Sequence, residues 1–275
     1  TSGPVSTTEQ EGTSPEDQTV RVLARQPRPG DSQVDIIEGF LGASATFEND
    51  HQVARQYLTP EGSVAWNPDA GVAVYETAAP SNITLQGETV ATFTSQRQLG
   101  DIAPKGEFVP LPRTRPLEAR FTLAQVDGEW RIASAPQGLI LSNTDVQRAF
   151  RPVNVYFPAP DGEVLAPDSV YVPANRQEVL QRLAAAVVDG PTDWLAPVVR
   201  NAFPDGTQVV EVARVPDSGT VAVELSHEAL AATDEQRRLM VGQLVLTLTQ
   251  VPEVTAVSTR VGGLPFGAVG VPAVV

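Results

Sequence analysis

The chain has 275 residues, no cysteine, and a formal charge of −14 from 33 acidic and 19 basic residues. Lacking cysteine, it can carry no thiol catalysis, disulfide or Cys-ligated zinc; its acidity argues against a nucleic-acid partner and against adsorption on anionic lipid. The length allows one or two domains, each able to bury a core, and no run approaches the ~18 apolar residues that span a bilayer.

Thr1–Gln18 is rich in Ser, Thr, Gly, Pro and acid, with a single valine, and reads as a disordered tether. Its start is polar and carries no cleavable signal. Val20–Gly30 opens like a strand and ends in two prolines. Asp31–Phe47 is helical, with Val34, Ile37, Leu41 and Ala45 in step and Asp31 or Ser32 able to cap. A shorter helical piece covers Gln52–Leu58 and stops before Pro60.

From there the period changes to two. Gly71–Glu76 and Asn82–Leu85 lead into a long alternating run, Glu88–Leu99, then Gly106–Leu111 and Leu117–Ser134. Asp127-Gly128, between Phe121–Val126 and Trp130–Ile132, signals a two-residue hairpin. Helices followed by a strongly curved antiparallel sheet predict an α+β cone of the nuclear-transport-factor-like type over residues 19–150. Ser142–Pro152 reads as the linker that follows, in which Val146 and Phe150 could pack. Residues 97–131 hold six cations, Arg113 and Arg115 among them, against five acids. They fit solvated strand faces or a docking surface.

Residues 153–262 predict a second α+β unit. Val153–Phe157 and Val170–Val172 precede a helix capped by Asn175, with Glu178 reaching back. Leu180, Leu183, Ala184 and Val187 draw one apolar stripe along it. Gly190 closes the helix and Pro191 forbids it to continue. Thr207–Val215 and Thr220–Leu225 follow, joined by a turn at Pro216–Gly219. A second helix, capped by Thr233 with Gln236 reaching back, carries Leu239, Met240, Leu244 and Leu248, and a last strand runs from Val254 to Val261. The order predicts two helices on one face of a small mixed sheet.

The successive segments VNVYFPAPDG, AAAVVDGP, AFPDGTQV, VAVELS and VLTLTQVPEVTAVSTRVGG resemble the GerMN domain of spore-germination proteins and actinobacterial lipoproteins. Upstream, Thr1–Val5, the IIEGFL helix core, Tyr57–Pro60 and Trp66–Pro68 are similar to the N-terminal half of the LpqB lipoprotein family. The resemblance supports the cone fold and implies a signal peptide and a lipid-bearing cysteine upstream of Thr1. It also implies a β-propeller beyond residue 275. As partner it implies the extracytoplasmic sensor region of an Mtr-type histidine kinase, and through it a role in cell-wall and division homeostasis.

Chemistry-bearing residues are few. Ser226-His227-Glu228 are consecutive, so their side chains diverge and cannot form a relay among themselves. Ser226 instead ends a strand and caps a turn. His51, beside Glu48 and Asp50, fits a loop better than a metal site, and no second histidine lies three or four residues away. No catalytic, metal or cofactor residue is assigned. Trp130 is expected in the core and Trp66 at the mouth of the cone, with a ligand-pocket role as the lesser reading. Trp194, in the proline-bounded Pro191–Val199 segment, is expected to be buried; if exposed, it marks a contact site.

Two function classes survive. The first is a non-enzymatic, membrane-tethered lipoprotein that binds another envelope protein. The second is a small-ligand or cell-wall-glycan binder, or a hydrolase, using the cone pocket. A filled apolar interior favours the first, and convergent polar groups around an open cavity favour the second. Leu264–Val275, uncharged and apolar, is expected to dock as an extended strip in a groove partly on the first domain.

Overall fold

A computed structural model describes residues 24–174 and 179–267. Helix α1 (Gln33–Ser44) begins at Ser32, whose hydroxyl accepts the Asp35 amide while the Asp35 carboxylate accepts the Ser32 amide. This reciprocal pair satisfies two amides that a first turn otherwise leaves open. The helix buries Ile36, Ile37, Phe40, Ala43 and Ser44. The expected stripe is therefore partly displaced, and Val34 and Leu41 stand half-buried at the margin. After α2 (Gln52–Arg55), α3 (Pro60–Ala65) is capped by the Thr59 hydroxyl. Pro60, expected only to stop a helix, starts one, because a first-turn residue needs no amide donor.

Six strands follow: β1 (Val72–Tyr75), β2 (Ser81–Gln86), β3 (Val90–Ile102), β4 (Phe108–Val126), β5 (Glu129–Ser134) and β6 (Leu139–Ser142). They form one sheet in the order β5-β4-β3-β1-β6, with β2 on the flank of β3. All pairs are antiparallel except β1 with β6. Asp127 (φ 53°) and Gly128 (φ 83°) make the predicted hairpin turn, both residues left-handed as that turn demands. Register breaks in β1, β3 and β4 bend the sheet around α1.

The interior of this cone is filled. Phe40 packs edge-on to Trp66 and Phe121, with ring centroids 5.1 and 6.1 Å apart. Tyr57, Leu123, Ile132 and Leu141 complete the packing, all essentially inaccessible to solvent.

Strand β4 corrects the sequence reading, which split it in two. Pro110 pairs with Gly100 and Arg115 with Gln98, so residues 111–114 oppose Leu99 alone. The surplus bulges outward, mostly exposed, where proline need not donate to a ladder. Ser142–Pro152 is likewise not a linker. The Ser142 hydroxyl accepts the Asp145 amide and starts α4 (Asn143–Ala149), and Val146, Ala149 and Phe150 enter the first core.

Phe150 also begins β7 (Phe150–Pro158), which among the described residues pairs only with β8 (Leu165–Pro173). Then come α5 (Val179–Asp189), β9 (Val209–Arg214), β10 (Thr220–Leu225), α6 (Asp234–Leu248), β11 (Ala256–Val261) and β12 (Leu264–Pro265). The mixed four-stranded sheet has the order β12-β11-β10-β9, with β10 and β11 parallel. The mixed sheet and its two helices match expectation, but β7 and β8 form a separate ribbon. Helices α5 and α6 each touch both the ribbon and the sheet. Gly190, at φ 89°, closes α5, and Thr233 and Gln236 form the capping box of α6. The expected cap Asn175 with Glu178, the tether Thr1–Gln18 and the strand-like start at Val20–Leu23 lie outside the described residues.

Two buried clusters result, one from Ile36 to Phe150 and one from Val155 to Phe266. The start of the apolar strip docks on the second. Leu264 and Pro265 pair with β11, and the buried Phe266 ring lies 4.9 Å from the Arg237 guanidinium carbon. The open edge of β11 supplies backbone partners there, so the described part of the strip runs along the second module rather than the first. Residues 268–275 lie outside the described residues.

A seam joins the modules. The Tyr171 amide donates to Gly106 O (2.8 Å), and Lys105, the chain's only lysine, donates to Pro191 O (3.1 Å). Arg182 pairs with Asp69 at 3.2 Å. A Cβ on Gly106 would lie 2.7 Å from Tyr171 O, at φ 89°, so only glycine fits this contact.

Candidate functional site

The loop after α5 is held from beneath. Asp168 projects from β8 into the interior, 1% exposed, and its carboxylate accepts the Thr192 amide (2.7 Å) and hydroxyl (3.0 Å). Thr192 O then accepts the amides of Leu195 (3.1 Å) and Ala196 (2.9 Å), winding the chain into tight turns. Leu195 drops into the second core, and the Arg200 amide closes the loop on Pro158 O at 2.8 Å.

This platform lifts Trp194 into solvent, 58% exposed, with Val198 equally exposed. The expectation that Trp194 is buried is overturned. Leu195 occupies the inward position, and the tight winding turns its neighbour outward. An aromatic ring on a hydrogen-bonded base is suited to enter a partner's pocket, since little order is lost on contact.

The other candidates lie elsewhere. Trp66 is a core residue, 3% exposed, with its indole N–H donating to Gly138 O (3.2 Å). Packed between Phe40 and His51, it is closed to a partner. Arg113 is exposed on the β4 bulge, and Arg115 is committed to Gln98, donating to its side-chain oxygen at 3.2 Å. Among the described residues no hydrogen bond or ring contact joins any of these four to another. Trp130 is half-buried against the first core rather than inside it.

His51 is buried, packed edge-on to Phe47 and Trp66, and its Nδ1 has no hydrogen-bond partner. Burial, before all else, pushes its pKa below the usual imidazole value. Among the described residues no cluster of three or more His, Asp or Glu is placed to hold a metal ion. Ser226 Oγ accepts the Gln208 amide (3.0 Å) at the end of β10, while His227 and Glu228 point into solvent. A hydrogen bond from Ser226 holds the Glu228 carboxyl below the usual range. No nucleophile–base pair is formed there.

The comparisons with known proteins match this architecture piece by piece. Residues 26–147 match the family described as Lipoprotein LpqB, N-terminal domain, and residues 154–266 match the family described as sporulation and spore germination. Lipoprotein LpqB of Thermobifida fusca is 38% identical over 90% of this chain and 40% of its own length. Those of Cutibacterium acnes and Streptomyces coelicolor are 32% and 30% identical, over 90% and 92% of this chain and 41% and 45% of their own lengths. The chain belongs to the LpqB lipoprotein family. Membership makes it a protein of the cell envelope, and it spans about two fifths of the length of its first two relatives. Among solved structures it is similar to the tandem GerMN domains of the sporulation protein GerM from Bacillus subtilis. That match has 19% identity and TM-score 0.35, covering 46% of each chain. The first GerMN domain alone gives 24% and 0.35, covering 42% of this chain and 85% of that one. No helix among the described residues is long and apolar enough to cross a membrane.

Proposed function

We propose that this LpqB-family chain is a non-enzymatic binding module on the extracytoplasmic face of the membrane. It engages the sensor region of a membrane histidine kinase of the Mtr type and modulates cell-wall and division signalling. Trp194 carries the reading: a large aromatic, mostly exposed, on a loop anchored by a buried carboxylate. Such a ring, flanked by the exposed Val198, is the kind of residue that dominates interface energies. The filled cone supports the same reading, because the wide axial cavity that an enzyme of this fold would use is occupied by Phe40, Trp66 and Phe121.

The seam joins the two units. Tyr171 bonded to Gly106 and Arg182 to Asp69 hold the second unit, which carries Trp194, against the cone. Co-purification tests the assignment. The lipidated full-length protein, recovered from envelope membranes, should bring the sensor kinase with it, and a Trp194→Ala protein should recover much less. Equal recovery by both proteins, or no kinase with either, contradicts the proposal.

A further inference from the structure

Helix α1 contains two glycines, and only one has a packing reason. A Cβ on Gly39 would meet the Tyr57 ring at 2.4 Å. A Cβ on Gly42 would meet nothing within 4 Å. Glycine inside a helix costs about 1 kcal/mol relative to alanine, and here no contact requires it. What Gly42 does is leave a groove open. The groove lies between α1 and the β1–β2–β3 side of the sheet, with a volume of about 360 Å³. The groove is open to solvent along one side and long enough to take a short aliphatic chain.

Leu41 and Val34 from α1, Ile83 from β2, Phe93 from β3 and Ile140 supply the apolar part of the lining, while Ser81 and Asn82 of β2 add polar groups beside them. Ile83 and Phe93 are cross-strand partners on one face. At one end the Tyr75 ring leans on Phe93, centroids 5.4 Å apart. The displaced stripe of α1 thus has a consequence: Val34 and Leu41 line this groove, Leu41 while also packing against the edge of the first core.

Charge selects what fits. Asp145 lines the groove but is committed, accepting the Ser142 hydroxyl and pairing with Arg148. Glu38, one turn from Val34 and Leu41, is exposed and stands in no ion pair among the described residues. The Tyr75 phenol is kept neutral by burial first and by the Asp145 charge second. An anion would be repelled here, and a neutral apolar molecule would strip water from Glu38 without replacing it. A cationic head on an aliphatic body satisfies both the carboxylate and the walls.

We infer that this groove is a binding site for a small aliphatic primary ammonium ion, its head at Glu38 and its chain along Leu41, Ile83 and Phe93. The site is separate from the Trp194 loop and independent of the kinase assignment.

Amide NMR titration of the chain with n-hexylammonium, 1-hexanol and hexanoate at equal ionic strength tests it. The ammonium should give saturable shifts at Tyr75, Ile83 and Phe93, hexanol should bind at least tenfold more weakly, and hexanoate should not bind. Glu38→Gln should weaken the ammonium about tenfold and leave hexanol unchanged. Gly42→Leu, which meets no steric obstacle at Cβ, should fill the groove mouth and abolish binding without lowering the melting temperature. Equal binding of hexanol and the ammonium, unchanged binding in Glu38→Gln or in Gly42→Leu, or no saturable shifts with the ammonium overturns the inference.

Discussion

Asp168 and Thr192 lie 24 residues apart in sequence and meet in the interior, the carboxylate taking both the amide and the hydroxyl of the threonine. The buried carboxylate, accepting from two donors on one residue, fixes the loop that carries Trp194. Removing it leaves a buried amide without an acceptor, which costs about 1–3 kcal/mol. Asp168→Ala should therefore unfold at lower denaturant by about 2 kcal/mol. Trp194, already mostly in water, should change its fluorescence anisotropy more than its emission wavelength. A variant as stable as the parent would show that the pair does not secure the loop.

The two glycines of α1 should respond oppositely to alanine. Gly39→Ala drives a methyl group into the buried Tyr57 ring, whose hydroxyl donates to Arg25 O at 2.7 Å. Overpacking of that kind costs about 1–3 kcal/mol. Gly42→Ala meets open space and should add about 0.5–1 kcal/mol through helix propensity. Urea denaturation of the two variants, side by side, checks both signs.

His51 predicts a pH dependence. Its folded pKa lies below the unfolded value of 6.5, because burial disfavours the imidazolium more than the nearby Asp50 and Asp69 favour it; Arg55 and Arg182 push the same way as burial. The unfolded chain therefore binds the proton first. The stability contributed by neutral His51 is fully present above pH ~6.5 and is lost as pH falls through the folded pKa. One such group changes stability by at most about 1.4 kcal/mol per pH unit. His51 also occupies left-handed backbone, φ 55°, which asparagine tolerates. His51→Asn should flatten the decline in unfolding free energy between pH 6.5 and 5. An unchanged slope would assign that decline to other groups.

Much of this fold is legible in the residues themselves, and the failures share a cause. The cap at Ser32, one of two offered, the Thr233–Gln236 capping box, the Asp127-Gly128 turn and the glycine stop at Gly190 are local devices, complete within four residues, and all form. The continuity of β4 through Pro110, Pro112 and Pro116 is not local. It depends on β3 offering one residue against four, which only the partner strand reveals. Leu139–Ser142 is a strand because Val72–Tyr75 lies beside it in parallel, a pairing without a sequence signature. The exposure of Trp194 is hidden for a related reason. Hydrophobicity says that Trp194 and Leu195 both want burial, but only one of two adjacent residues can face the core. The buried Asp168 decides which, from 26 positions upstream.

Gly106 offers a test of the seam. Lys105 and Arg182 make rim contacts that water and salt screen, each worth about 0–1 kcal/mol, whereas Gly106 sits against the Tyr171 backbone with no room for a methyl group. Gly106→Ala should part the modules while leaving both cores folded. The expected result is a larger radius of gyration by small-angle scattering with little change in far-ultraviolet circular dichroism. An unchanged scattering curve would mean that the seam tolerates the substitution and does not govern module spacing.

Trp194 is the proposed contact residue of the binding module. Titrating the purified chain against the isolated extracytoplasmic region of the sensor kinase, by interferometry, tests it most directly. The expected result is saturable binding that Trp194→Ala weakens at least thirtyfold, about 2 kcal/mol as for an interface hot spot, with melting temperature unchanged and Trp194→Phe retaining part of the affinity. Saturable binding of equal strength by parent and Trp194→Ala, or no binding by the parent, would contradict it.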